Sequence, residues 1–230
     1  MASKKSKIAG RSLLSGDVTV GEIQRLTKPF GAQAQALFDE DSLDGSEYDV
    51  VVVDGPLEID GDFDSFAYGL CGLVVCGDFT VTGLYTDHDD PATGIYVLGN
   101  MFAGRVITTG ALGVKKSLTV QGPLVGFYND YSAQIDGDVK AECFYPENHH
   151  FDIGKKLDVP LILGNGAEWR VSKRLKKSAT PIASKLLAEK LVPEVLEGEG
   201  DDTEISYDDF KERVRKGLPV LLKGKKKPGK

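Results

Sequence analysis

The run Tyr85-Thr86-Asp87-His88-Asp89-Asp90-Pro91 packs three carboxylates and an imidazole into seven residues, groups that can ligate a cation or meet a charged partner. His149, His150 and Asp152 carry the same chemistry further along the chain. A catalytic metal centre needs about three converging ligands. No HExxH-like or comparable spacing joins the two groups, so no metal is expected. Asp60-Gly61-Asp62-Phe63-Asp64 opens like a calcium loop but lacks the glutamate that would close it at the twelfth position, and reads as a solvated corner. Paired acids that could flank a glycosidic bond are not apparent, because the outward acids are scattered. No Ser/His/Asp or Cys/His set and no phosphate-binding glycine loop can be assembled. Cys71, Cys76 and Cys143 sit in unrelated apolar contexts without a CxxC pair and read as small buried hydrophobes. The expectation is a protein without catalytic residues or cofactor.

What remains for these side chains is binding. Tyr85 to Pro91 reads as an insertion between two repeats, and insertions in repeat proteins project from one face and commonly carry the binding surface. A second polar turn at Asn129-Asp130 is expected to lie on a neighbouring coil. Together Tyr85, Asp87, His88, Asp89, Asp90, Tyr128, Asn129, Asp130 and Tyr131 would form an acidic, tyrosine-bearing rim, and aromatic anchors ringed by charge are what a protein hot spot needs. A plain solvated loop is the blander reading of the same residues.

The elements that position these residues announce themselves as an internal repeat. Val51-Val52-Val53-Asp54-Gly55-Pro56-Leu57-Glu58-Ile59 moved by 22 residues falls on Leu73 to Val81, and by another 22 on Ile95 to Ala103. Further steps of 17 and 21 reach Leu112 to Val120 and Ala133 to Ala141. Four apolar columns result: Val51, Leu73, Ile95, Leu112, Ala133; then Val53, Val75, Val97, Val114, Ile135; then Leu57, Phe79, Met101, Leu118, Val139; then Ile59, Val81, Ala103, Val120, Ala141. Intervening positions such as Glu58, Asp60, Thr80, Thr82, Thr119, Gln121, Lys140 and Glu142 are mostly polar, the period-two pattern of a strand with one buried face. Constant phase at about 20 residues per repeat favours a wound parallel solenoid over a sandwich of hairpins. The fold class expected is therefore mainly β: a short right-handed parallel β-solenoid of about five coils, with a helical N-terminal cap and C-terminal helices.

The chain is accordingly divided into a tail and helical cap over 1–48, the solenoid over 49–154, a helical extension over 155–222 and a basic tail over 223–230. Val20 to Phe38 has helical spacing interrupted at Pro29-Phe30-Gly31, which predicts two helices. Beyond Gly154, Pro181 to Leu191 is helix-compatible and Pro193 breaks it. Glu197 to Glu204 is an acidic loop, and Ser206-Tyr207-Asp208-Asp209 resembles a capping box with Asp in place of Glu. These segments are expected to pack on the solenoid or its partner rather than to form an independent domain.

Charge is divided unevenly. The chain carries a formal net charge of -7, yet Leu37 to Gly154 holds 21 acidic residues against four basic ones, a balance of -17. Such a middle repels nucleic acid and favours basic partners. The basic flanks read as solvated ends. No apolar run approaches the roughly 20 residues of a membrane span, and Met1 to Lys7 lacks a following apolar stretch, so a cytoplasmic protein that touches neither membrane nor nucleic acid is expected.

Several stretches carry a family likeness: Gly99-Asn100-Met101-Phe102-Ala103-Gly104-Arg105-Val106-Ile107, Ser117-Leu118-Thr119-Val120, Gly126-Phe127-Tyr128-Asn129-Asp130, Gly137-Asp138-Val139-Lys140-Ala141 and His149-His150-Phe151-Asp152-Ile153. With Leu191-Val192-Pro193-Glu194-Val195-Leu196 and Gly217-Leu218-Pro219-Val220-Leu221, they make the chain resemble bacterial bactofilin-like, polymer-forming β-solenoid proteins over roughly Asp49 to Leu222. The branch it is similar to comprises immunity proteins encoded beside polymorphic toxins, including Rhs and type VI secretion effectors. The resemblance implies a partner, the cognate toxin, and a monomer or small oligomer. It departs at Lys115-Lys116-Ser117, where the family tends to have glycines. True bactofilins polymerise through bare solenoid ends, so a self-assembling scaffold is the alternative that the same likeness carries.

Overall fold

In the computed structural model every pairing between one coil and the next is parallel, with the strands stacked in the order in which they occur in the chain. The structure describes residues 7–43, 47–128, 130–164, 169–171, 186–199 and 202–222. The chain divides into two compact units, residues 1–180 and 181–230.

The first unit opens with β1 (Arg11–Ser12). Helices α1 (Val20–Thr27), α2 (Ala32–Leu37) and α3 (Glu40–Leu43) follow. The first coil holds β2 (Asp49–Val53), β3 (Leu57–Ile59) and β4 (Phe63–Asp64). The second runs through β5 (Leu70–Val75) and the long β6 (Phe79–Thr86), and the third through β7 (Gly94–Val97) and β8 (Met101–Thr108). The fourth comprises β9 (Ala111–Val114), β10 (Leu118–Val120) and β11 (Pro123–Gly126), and the fifth β12 (Ser132–Ile135), β13 (Val139–Lys140) and β14 (Cys143–Pro146). Winding continues through β15 (His150–Ile153), β16 (Leu157–Asp158) and β17 (Trp169–Val171), beyond the five coils legible in the sequence.

The first member of each coil joins one sheet and the rest join a second. The register reproduces the columns of the repeat: Val51 pairs Leu73, Leu73 pairs Ile95, Ile95 pairs Leu112, and Leu112 pairs Ala133. On the second sheet Leu57, Phe79, Met101, Leu118 and Val139 stack in the same way. All four columns feed one continuous core, in which Leu73, Val75, Phe79, Ile95, Met101, Leu118 and Ile135 are fully buried. Burying such a side chain contributes roughly 1.5–3 kcal/mol, and stacking at a spacing of about 4.8 Å lets each coil bury the face of its neighbour.

A fifth column joins these four, and the repeat does not announce it. β6 runs past Thr82-Gly83, where its register against β8 shifts, and continues to Thr86. That extension stacks Phe63, Tyr85, Val106, Leu124, Phe144 and Ile162 over one another inside the core.

The N-terminal helices do not sit at the end of the solenoid as a cap. They lie across the outer face of the first sheet, where Ile23, Phe30, Ala34 and Phe38 form a second core with Val50, Val52, Val74 and Tyr96. Two helices are present where two are predicted, separated by a 3-10 turn at Lys28–Phe30, and Gly31 with φ 82° supplies the left-handed corner that a Cβ would resist. Thr19 Oγ1 accepts from the Glu22 N–H at 3.3 Å and starts α1. The end of the first sheet is closed by a strand: β1 pairs antiparallel with β2, and Arg11 bonds Asp54 at 2.7 Å and Glu22 at 2.8 Å. Closing an edge in this way satisfies backbone groups that a bare strand leaves open.

The helical layer depends on small residues beneath it. A Cβ on Gly113 would come within 2.5 Å of the Tyr96 ring and 2.6 Å of the Phe30 ring. Gly113→Val is expected to cost about 1–3 kcal/mol by overpacking. A lowered urea midpoint together with faster protease cleavage within residues 13–43 would show it.

In the second unit, α4 (Leu187–Lys190) ends before a 3-10 turn at Pro193–Val195, and β18 (Leu196–Glu197) pairs antiparallel with β19 (Glu204–Ile205). Helix α5 (Tyr207–Arg215) buries Phe210 and Val214, and Gly217 follows it with φ 66°. Ser206 Oγ donates to Asp209 Oδ2 at 2.6 Å and the Ser206 N–H goes to Val195 O, so neither backbone bond of the expected capping box forms. Leu191 bridges Leu221, and Val192 N–H bonds Val220 O at 3.0 Å, so these segments close on one another as a compact unit. The expected helix over Pro181 to Leu191 is described only from residue 186, and the tail over 223–230 lies outside the described residues.

Candidate functional site

The expected rim residues separate into a buried group and an exposed group. Tyr85 is fully buried and Asp87 is 1 % exposed, so neither belongs to a partner-facing rim. The reason is the strand extension: the coil itself runs on to Thr86, and only the residues after Asp87 form the insertion. Asp87 Oδ2 accepts from the Tyr85 hydroxyl at 2.7 Å and from Thr108 Oγ1 at 2.8 Å. Its Oδ1 accepts from the N–H groups of Thr109 at 2.7 Å and Gly110 at 2.9 Å. A buried carboxylate with four donors is a structural clamp between adjacent coils. Burial, and next the charge of Asp87, push the Tyr85 phenol well above its ordinary range.

His88 sits half-buried at the base of the insertion. Its Nε2–H donates to Asp64 Oδ1 at 3.1 Å while its ring stacks on Phe66 with centroids 3.8 Å apart. The bond from His88 is the first cause that holds the Asp64 carboxyl below its usual range, and the N–H groups of Phe66 and Ala67 add to it. Thr93 closes the loop: its hydroxyl donates to His88 O at 2.8 Å and accepts from the His88 N–H at 2.9 Å. Asp89 bridges Ala92 inside this loop, leaving Asp90 exposed and Asp89 half-exposed.

The second turn comes to the same place. The neighbouring Asp130 carboxylate raises the Tyr128 phenol above its ordinary range, and the charges of Asp89 and Asp90 raise it further. Burial raises the Tyr131 phenol, and Asp130, Asp89 and Asp90 act on it in the same direction. Carboxylates from two different coils therefore share one neighbourhood with two tyrosines. Asn129 lies outside the described residues. Gln33 at the start of α2 holds the turn from beneath, donating to Asp130 O at 3.3 Å and accepting from Ser132 Oγ at 2.8 Å.

A further residue stands behind the rim that residue type alone does not assign to it. His149 is fully buried, with Nδ1 2.9 Å from Tyr128 O and its ring edge-on to Phe151. Burial is the main cause that pushes its pKa below the usual value. The signal available in the sequence is spacing: His149 stands 21 residues after Tyr128, one coil on.

Among the described residues no group of three or more His, Cys, Asp and Glu side chains is arranged to hold a metal ion. Cys71 and Cys76 are half-buried and Cys143 is buried, none of the three is in a disulfide, and burial pushes the thiols of Cys76 and Cys143 up, away from the nucleophilic thiolate. No helix among the described residues is long and apolar enough to cross a membrane. Exposed Asp90 and Asp130, with half-buried Asp89, Tyr128 and Tyr131, can present negative charge and ring edges to another macromolecule, Tyr131 resting partly on the second core. No family model, no curated protein and no solved structure matches the chain.

Proposed function

We propose that the protein is an immunity protein that binds a cognate bacterial toxin in the cytoplasm and occludes a basic face of it, without catalysis. The observation that carries this reading is the convergence of Asp89 and Asp90 with Asp130, two coils on, around Tyr128 and Tyr131. A cluster of negative charge attracts a cationic face, so such a rim favours a basic partner and speeds encounter with it. The balance of -17 over residues 37–154 extends the same field. The likeness to immunity proteins of polymorphic toxins supplies the class of partner, and toxins that act on nucleic acid have basic clefts that would suit the rim.

Co-expression with the product of each neighbouring gene tests it: one of those products should arrest growth alone and cease to do so in the presence of this chain. If none is neutralised, the immunity reading is lost. At the level of residues, Asp89→Asn, Asp90→Asn and Asp130→Asn together should weaken the complex about tenfold at low salt, mainly through the association rate, with little change at high salt. Binding kinetics measured across a salt series check this, and unchanged rates at low salt would remove the rim from the interface.

One observation favours a second reading, a self-assembling scaffold. β3 and β4 pair only with β6, so among the described residues one edge of the second sheet carries no strand. Sedimentation of the purified chain separates the two readings, since a scaffold pellets as filaments alone and an immunity protein stays small.

A further inference from the structure

We infer that His149 is a positioning residue for the acidic rim: its neutral imidazole holds the Tyr128 turn in place, and protonation at mildly acidic pH releases that turn. The inference rests on the rim being the functional surface, and it concerns how that surface is regulated.

The geometry assigns the proton. A backbone carbonyl only accepts, so the 2.9 Å contact from His149 Nδ1 to Tyr128 O makes Nδ1 the protonated nitrogen. Nε2 then carries a lone pair, and it is buried without any hydrogen-bond partner. A second proton would have to go there, producing a charged N–H in the core with no acceptor to receive it. The backbone of Tyr128 and Phe127 favours the charged ring, and burial outweighs it. Asp87 is the acidic group that faces the ring, and both of its oxygens are already filled by Tyr85, Thr108, Thr109 and Gly110. His150, the adjacent base, opposes a positive charge, and the Phe151 ring packs edge-on at a centroid distance of 5.3 Å. Gly126 leaves room for both residues, since a Cβ there would lie 2.5 Å from the Phe151 ring and 2.8 Å from His149 Cβ.

What His149 holds is a strained turn. Tyr128 has φ 80°, a left-handed conformation that a bulky aromatic residue adopts only when its surroundings impose it. Its carbonyl is fixed by His149 and its phenol lies near Asp130, so the imidazole fixes the backbone that carries the rim's tyrosine. The sign of the pH effect is set by burial, which lowers the folded-state pKa of His149 beneath its unfolded value. The neutral form therefore supports the turn fully above about pH 6.5, and that support is lost as pH falls below it toward the folded-state value. Over that window the opening equilibrium rises by up to about tenfold per pH unit.

Hydrogen exchange of the full chain across pH 7.5 to 5, corrected for the intrinsic pH dependence of exchange, is the test. Segment 127–131 should open progressively in the wild type while Leu118–Val120 stays protected. His149→Asn keeps a donor close to the position of Nδ1 but cannot take up a proton, so it should hold the turn closed throughout that range. His149→Leu fills the space without a donor and should be open at every pH. Identical pH profiles for the wild type and His149→Asn would overturn the inference, as would loss of protection in all strands at once. No partner enters this experiment, so its failure leaves the rim's binding role standing, and failure of partner binding leaves the switch testable.

Discussion

Replacing Asp87 by alanine should lower stability by about 3–5 kcal/mol, because four donors lose their acceptor at once, three of them buried. Those donors are the buried Tyr85 and Thr108 hydroxyls, the buried backbone N–H of Gly110 and the half-buried backbone N–H of Thr109. Asp87→Asn should cost much less, about 1–2 kcal/mol, since hydroxyls can rotate to accept from the amide while its oxygen keeps the two backbone donors. Urea unfolding of the two variants checks the ordering. Equal losses, or a loss below about 1 kcal/mol for the alanine variant, would show that the clamp is not what joins these coils.

The second large effect concerns Phe63, which stacks on Tyr68 and Tyr85 at 5.4 Å and meets Phe79 edge-on at 5.5 Å. Phe63→Ala should cost about 3–5 kcal/mol through lost burial and the cavity left among three rings. Solenoid stability is close to a sum of nearest-neighbour terms, so the loss should be local. Protection against hydrogen exchange should fall in β2 to β4 and persist in β12 to β15. Uniform loss along the coils would instead mean that the molecule folds as one indivisible unit. Phe63 and Asp87 both lean on Tyr85, so the two alanine variants combined should depart from additivity by at least about 0.5 kcal/mol.

The candidate site is legible in part, and the division has a physical cause. Coil spacing brings Asp89 and Asp90 near Tyr128, Asp130 and Tyr131, because turns two repeats apart lie on the same side of the stack. The same spacing misplaces Tyr85 and Asp87 on the surface, because nothing local marks where a strand ends and an insertion begins. Tyr85 has the same amphipathic ring whether it anchors a partner or fills a core, and its inward direction is set by pairing with Phe63 and Val106.

The position of the helices teaches the same lesson with a signal that was present. Val50 to Val53, Leu73-Val74-Val75 and Ile95-Tyr96-Val97 are continuous apolar runs, not alternating ones, and continuous runs belong to strands buried on both faces. The outer face of the first sheet therefore needed a cover, and Val20 to Leu43 supplies it.

By itself the sequence determined the parallel winding, the register and the four inward columns, because each coil repeats the same alternation in the same phase and only direct stacking buries all copies together. Tertiary structure alone decided which acids face water and which clamp the core, and where the helices lie. It also turned His149 toward the carbonyl of Tyr128. Those outcomes depend on what stands one coil away, and a side chain's own identity does not encode its neighbour.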